Sequence, residues 1–233
     1  MSIPATPLIE LLKKHKDSFH KVVPFANEAD KLLLMDFTAG NTLLTAETVN
    51  DTAAFCQYIN QQLDASGALY GIGGYNEHRT VYARSEVFDG SGEPRRLHLG
   101  IDIWGTAGTP VFAPLDGTVH SVAFNNRFGD YGATIILKHQ LDGITFHTLY
   151  GHLSLASIKG LMAGTPVGAG MAIAEFGIPA ENGQWPPHLH FQIIEDIQGM
   201  VGDYPGVCKY SERENYLANC PDPDLVLMMM NKV

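Results

Sequence analysis

The sequence lacks any apolar run near the ~20 residues that span a bilayer. It opens Met-Ser-Ile-Pro-Ala-Thr-Pro-Leu-Ile-Glu, without the basic start and apolar stretch of a secretory leader. Read as written, this points to the cytoplasm, or to an extracytoplasmic site if a leader was trimmed. Clustered positive charge is also missing. With 15 Lys and Arg against 25 Asp and Glu the net charge is −10, and the densest basic stretch is Lys13-Lys14-His15-Lys16. Neutralising phosphates takes clustered Lys and Arg, so neither nucleic acid nor an anionic membrane surface is an expected partner, and no membrane insertion is expected. Cysteine is scarce. Cys56, Cys208 and Cys220 form no CxxC pair, which argues against a cysteine zinc site. Their odd number and wide spacing fit a reducing compartment, with a Cys208–Cys220 pairing left open.

What is present is the composition of a packed globule: 45% hydrophobic and 17% charged residues over 233 positions. The 24 glycines and 13 prolines fall mostly after residue 70, which favours short strands and tight turns there. Before that the pattern is helical. Thr6-Pro7 starts a helix with Leu8, Ile9, Leu11, Leu12 and Phe19 on its apolar side. A second helix is predicted from Thr48 to about Leu63, with Ala53, Phe55, Cys56, Ile59 and Leu63 facing inward. Leu32 to Phe37 reads as a short strand. From Leu69 onward apolar runs alternate with turns, and Asp116-Gly117 and Asp142-Gly143 are hairpin signals. A short helix at 211–219 and an apolar tail at 225–230 that packs on the body close the chain. The fold class is therefore mainly β with N-terminal helices, around an antiparallel β-sheet or sandwich. The expected divisions are an N-terminal segment of unassigned role (1–69), a β-rich domain (70–200) and a C-terminal loop, helix and tail (201–233).

Two stretches carry the chemistry. In Leu97-His98-Leu99-Gly100-Ile101-Asp102-Ile103, alternation sends His98, Gly100 and Asp102 to the face opposite the aliphatic residues. In His188-Leu189-His190-Phe191-Gln192, the residues His188, His190 and Gln192 share one face while Leu189 and Phe191 go to a core. If the two strands are neighbours, His98, Asp102 and His190 supply two imidazoles and a carboxylate. That is a three-ligand zinc site with an open position, and Gly100 leaves room for the ion. A hydrolytic site also needs groups that move protons and steady an oxyanion. His188, two residues from His190, and His152, at the end of a predicted strand, are the candidates. Tyr150 is placed on the face of His152, contacting substrate or orienting a ring.

The remaining histidines default to other roles. His15 and His20 sit on a solvated helix, His120 and His147 on an outer sheet face, and His139 at a hairpin end. The segment from Gly73 to Arg79, which holds His78, lies either beside the cleft or in a turn with an edge strand.

Taken in order, His98-Leu-Gly-Ile-Asp102, Ala107-Gly108-Thr109-Pro110-Val111, Asp116-Gly117-Thr118-Val119, Tyr131-Gly132, Tyr150-Gly151-His152-Leu153, Gly164-Thr165-Pro166-Val167 and His188-Leu189-His190-Phe191 resemble the lysostaphin-type zinc metalloendopeptidases, which cut peptidoglycan cross-bridges. The resemblance covers about residues 95–195. It implies a groove over an antiparallel sheet and one zinc ion on His98, Asp102 and His190. It also implies catalytic roles for His152 and His188, and hydrolysis of peptide bonds in a peptide or peptidoglycan-derived substrate. Three departures stand out. Ala180 to Pro187 replaces a short Ser-Thr-Gly-Pro type loop, Ala133 stands where the family often has Asn, and Gln192 where it has Glu. The alternative is a non-catalytic binding module of the same fold for a cell-wall or protein partner. A biotinyl or lipoyl carrier fits the Gly-Thr-Pro-Val turns but lacks the hairpin-tip lysine.

Overall fold

A computed structural model of the chain describes residues 6–26, 29–90 and 92–233. The leader reading falls partly on residues 1–5, outside the described residues. Among the described residues no helix is long and apolar enough to cross a membrane.

The chain begins with helix α1 (Pro7–Lys14), capped by the Thr6 hydroxyl, which accepts from the Ile9 amide. The helix stops before Phe19. Strand β1 (Leu32–Met35) follows, and then two helices, α2 (Ala46–Asn50) and α3 (Thr52–Ser66), where one was expected. The break is chemical. The Asp51 carboxylate accepts from the amides of Ala53 and Ala54 and starts a new helix. Phe55 and Ile59 are buried as expected, while Ala53 faces solvent.

Strands β2 (Tyr70–Gly73), β3 (Leu97–His98), β4 (Ile101–Trp104), β5 (Pro110–Phe112), β6 (Gly117–Asn125), β7 (Gly132–Leu141) and β8 (Ile144–Leu153) come next. A short helix α4 (Leu155–Ile158), strands β9 (Pro166–Val167), β10 (Ala172–Glu175), β11 (His188–Ile194) and β12 (Val207–Cys208), and helices α5 (Arg213–Asn219) and α6 (Asp224–Leu227) complete the order. Eight strands make one sheet in the order β1-β2-β4-β11-β8-β7-β6-β9, antiparallel throughout except for the parallel β1–β2 pair. β5 pairs with β10, and β3 with β12, as small separate sheets.

Of the two hairpin signals, one acts as read. Asp142 and Gly143 both have positive φ (46° and 85°), the two-residue turn that joins β7 to β8. Asp116-Gly117 is not a hairpin, because β5 leaves to pair with β10. Its Asp116 side chain instead accepts from the Ala169 amide, and its carbonyl accepts from the His139 ring.

The main core lies on one face of the sheet, with Ile101, Ile103, Ile135, Tyr150, Leu189, Phe191 and Ile193 covered by α1 and by Val226 and Leu227 of α6. Two smaller clusters flank the other face. One gathers Phe37, Phe55, Trp104 and Trp185 beneath α3, and the other Leu97, Leu99, Tyr131, Tyr204, Cys208 and Cys220. The stretch 97–103 is thus two strands: Leu97 and Leu99 enter a flanking cluster, while Ile101 and Ile103 enter the main core. All three cysteines are free thiols, so Cys208 and Cys220 are unpaired.

Phe191 is fully buried in the main core and directly follows His190 on β11. Phe191→Ala is expected to lower unfolding free energy by about 3–5 kcal/mol in urea denaturation, the cost of a large apolar side chain and its cavity.

Candidate metal centre and its cleft

Register brings the site together. β11 lies between β4 and β8, with His190 opposite Asp102 on one side and Gly151 on the other. His98 reaches in from β3, and its Nε2 lies 2.9 Å from His190 Nδ1 and 3.3 Å from Asp102 Oδ1. His190 Nδ1 is 3.1 Å from the same Asp102 oxygen. Gly100 leaves the space this needs, since a Cβ there would lie 2.5 Å from His190 Cε1.

The protons on these rings are fixed from behind. His98 Nδ1 lies 3.0 Å from the Gly74 carbonyl, which can only accept, so Nδ1 carries the hydrogen and Nε2 a lone pair. His190 Nε2 donates to Gln192 Oε1 at 2.9 Å, which leaves its Nδ1 bare. Two imidazole lone pairs and a carboxylate oxygen therefore face one another in a buried spot. They repel unless a cation lies among them. Donors about 2.0–2.2 Å from a tetrahedral zinc ion lie about 3.3 Å apart, so this set fits Zn²⁺ in chemistry and spacing.

Charge is balanced behind Asp102. Its Oδ2 pairs with the buried Arg79 guanidinium, whose Nε pairs with Glu77 at 2.6 Å and whose Nη1 donates to the Tyr82 hydroxyl at 3.2 Å. Burial works against the Asp102 charge. The neighbouring His98 ring and Arg79 outweigh it and hold the carboxyl well below the usual carboxylate range. Burial, with Arg79 adding to it, lowers His98 from 6.5 to about 4, so the ring is neutral near pH 7.

His152 and His188 stand beside this group. His188 Nδ1 donates to the Pro186 carbonyl at 2.7 Å, and His152 Nδ1 to the Asn182 carbonyl at 2.8 Å. Each thus keeps a bare Nε2. The rings stack 4.1 Å apart, and Trp104 stacks on the other side of His188 at 3.8 Å. Burial lowers His188 to about 4, and burial with the adjacent His188 lowers His152 well below 6.5.

His152 reaches this face through a backbone irregularity. Tyr150 points into the main core with its hydroxyl against Thr148, and Gly151 opposes His190. Strict alternation would send His152 to the core. It instead has φ +63°, where β8 carries two residues against one of β7, and the ring turns to the site. The placement of Tyr150 on the face of His152 is thereby corrected, because the left-handed residue resets the period.

All five proposed residues except His98 line one cleft, with Arg79, Tyr82, Trp104, Tyr131 and Trp185 in its wall. His98 lies beneath it, fully buried. His78 is exposed and outside this wall, while its neighbour Arg79 is inside. His139 and His147 are buried rather than set on an open face or hairpin end. His139 bridges Asp116 and Thr148, which removes it from solvent. Sequence reasoning left the Gly73–Arg79 segment open between cleft and turn and gave no specific role to Arg79, Tyr131 or the carbonyls of Gly74 and Asn182. Gln192 carried a signal of its own, since it shares the histidine face. Loop residue Asn182 holds its own turn, bonding Gly177, Trp185 and His152.

Residues 96–201 match the family described as Peptidase family M23. A sequence from Haemophilus influenzae named an uncharacterized metalloprotease is 35% identical over 144 residues, covering 60% of this chain and 28% of the relative. The DD-carboxypeptidase/endopeptidase Mpg of Neisseria meningitidis is 36% identical over 52% of this chain and 26% of its own length. The L-Ala–D-Glu endopeptidase of Bacillus subtilis is 31% identical over 51% of this chain and 35% of its own. The chain thus spans about a third or less of the length of these curated relatives. The lysostaphin catalytic domain of Staphylococcus simulans overlaps 69% of this chain and 97% of its own at 25% identity and a TM-score of 0.40.

Gly100→Ala should push His190 aside and weaken zinc uptake in a metal assay while circular dichroism stays close to wild type. The depressed histidines also set a pH dependence. His98, His188, His139 and His147, all lowered to about 4 chiefly by burial, bind fewer protons folded than unfolded between pH 4 and 6.5. Their contribution is full above about pH 6.5 and is lost as pH falls through 4. In chelator, the melting temperature should therefore drop steadily across that interval.

Proposed function

We propose, on the premise that residues 96–201 are a domain of peptidase family M23, that the chain is a zinc-dependent endopeptidase whose single ion is held by His98, Asp102 and His190. The observation that carries this reading is the convergence of three buried lone-pair donors whose tautomers are fixed from behind. A zinc ion held there supplies Lewis-acid polarisation of a carbonyl and raises the acidity of water.

The chain's own residues supply the proton transfers. His152 and His188 present bare Nε2 atoms to the cleft, with Nδ1–H anchored on carbonyls. One takes a proton from the attacking water and returns it to the leaving amine. The other donates to the oxygen on which charge develops when the proton drawn from water sits on its own Nε2 rather than on its neighbour's. Stacked at 4.1 Å, the two rings disfavour holding a positive charge each, so they work with one shared proton. Peptide and water then yield a carboxylic acid and an amine, with no proton left over on the protein.

Relatives named as a DD-carboxypeptidase/endopeptidase and an L-Ala–D-Glu endopeptidase support peptidoglycan peptides, or a small peptide like them, as the substrate class. In this reading residues 70–200 carry the chemistry. Phe37 and Phe55 back Trp104 and Trp185 in the cleft wall, and residues 201–233 buttress the site.

His190→Ala should abolish zinc stoichiometry by elemental mass spectrometry, together with cleavage of a muropeptide panel. His152→Ala should retain zinc and lose about 10²–10⁴-fold in turnover, the usual worth of a positioned acid–base. Full zinc content in the first variant, or normal turnover in the second, sinks the corresponding role.

A further inference from the structure

We infer that Gln192, fixed by the segment 204–220, is a positioning residue that decides which nitrogen of His190 faces the metal centre. The inference rests on the reading of His190 as a ligand. His98 and His190 meet through different nitrogens, Nε2 of one and Nδ1 of the other. For His190 to present a bare Nδ1, its Nε2 must keep a proton and have somewhere to give it. The Gln192 oxygen is 2.9 Å away, whereas the Tyr131 hydroxyl is 3.5 Å away and spends its own proton on the Tyr204 carbonyl.

The direction of the Gln192 amide is itself determined. The side chain is fully buried, and its nitrogen donates to the Pro205 carbonyl at 3.2 Å and to Cys220 Sγ at 3.3 Å. Turned over, it would set a donor against the His190 N–H and an acceptor against the Pro205 carbonyl. An unpaired buried polar group costs about 1–3 kcal/mol, and the turned amide would create several. Only an amide meets both demands, since a carboxylate would accept from His190 and leave Pro205 without a donor.

Pro205 and Cys220 both lie beyond residue 201, where the family match ends. Cys220 is held in turn, its carbonyl accepting from the Tyr75 hydroxyl at 2.6 Å and its amide bonding Tyr216 at 2.7 Å. The C-terminal segment therefore reaches the ligand through two hydrogen bonds. Groups of this kind behind metal-binding imidazoles commonly set ring orientation and donor strength.

Two readouts on the full chain test this: imidazole nitrogen shifts by NMR in chelator, and zinc affinity by competition with a chromogenic chelator. In metal-free wild type His190 should carry its proton on Nε2. Gln192→Leu should lose that single tautomer and bind zinc about 10–100-fold more weakly, whereas Gln192→Glu should keep the tautomer and stay within about threefold of wild type. A proton on Nδ1 in wild type overturns the inference, as does Gln192→Leu with unchanged affinity. Should Gln192→Leu not fold, the wild-type tautomer and Gln192→Glu decide. Wild type with the Nε2 proton but no zinc uptake would uphold the role of Gln192 in orienting the ring and sink the ligand reading instead.

Discussion

The pairing of His190 with Asp102 across β4 and β11 is the constraint from which the site follows. In an antiparallel ladder directly opposed residues share a face at close range, so one register choice sets an imidazole beside a carboxylate. The same register drives Ile103, Leu189 and Phe191 into the main core on the far side. A slip by one residue would turn the ligands inward and the aliphatic side chains outward. The apolar half of these strands therefore holds the polar half in place.

Around that pair, the imidazole N–H groups and the carboxylate oxygen that face away from the centre have partners. Gly74, Gln192, Asn182 and Pro186 each take one imidazole proton, and the Arg79–Glu77 pair takes the second oxygen of Asp102. Unpaired, such buried groups would be costly. Satisfied, they leave three donors with only one direction in which to act. Much of this support comes from outside residues 96–201, from Gly74 to Tyr82 on one side and from Pro205 and Cys220 on the other.

Period-2 alternation made the sheet and the proposed ligands Asp102 and His190 legible in the sequence, because these stand on short strands whose apolar partners announce their direction; His98 joins them although Leu97 and Leu99 turn to a different cluster from Ile101 and Ile103. The proton-transfer candidates were legible through their motifs, although the orientation of His152 was not. What escaped were features that depend on distant pairing. Asp116-Gly117 has the composition of a hairpin, yet β10 captures β5 and leaves the turn without one. Thr48 to Leu63 has one apolar stripe, yet Asp51 caps it into two helices. Arg79 lay in a segment left open between cleft and turn, and its role exists only once Asp102 lies beside it.

His152 shows how narrowly the chemistry is attached to the architecture. A single left-handed residue in β8 shifts the alternation by one position, sending an imidazole to one side and Leu153 to the other. Straightening that strand would turn the imidazole toward the core and Leu153 toward the cleft, withdrawing the ring and exchanging a buried apolar side chain for a polar one. A chain without this one kink would keep His98, Asp102 and His190 together and lose the imidazole that the kink sets beside them.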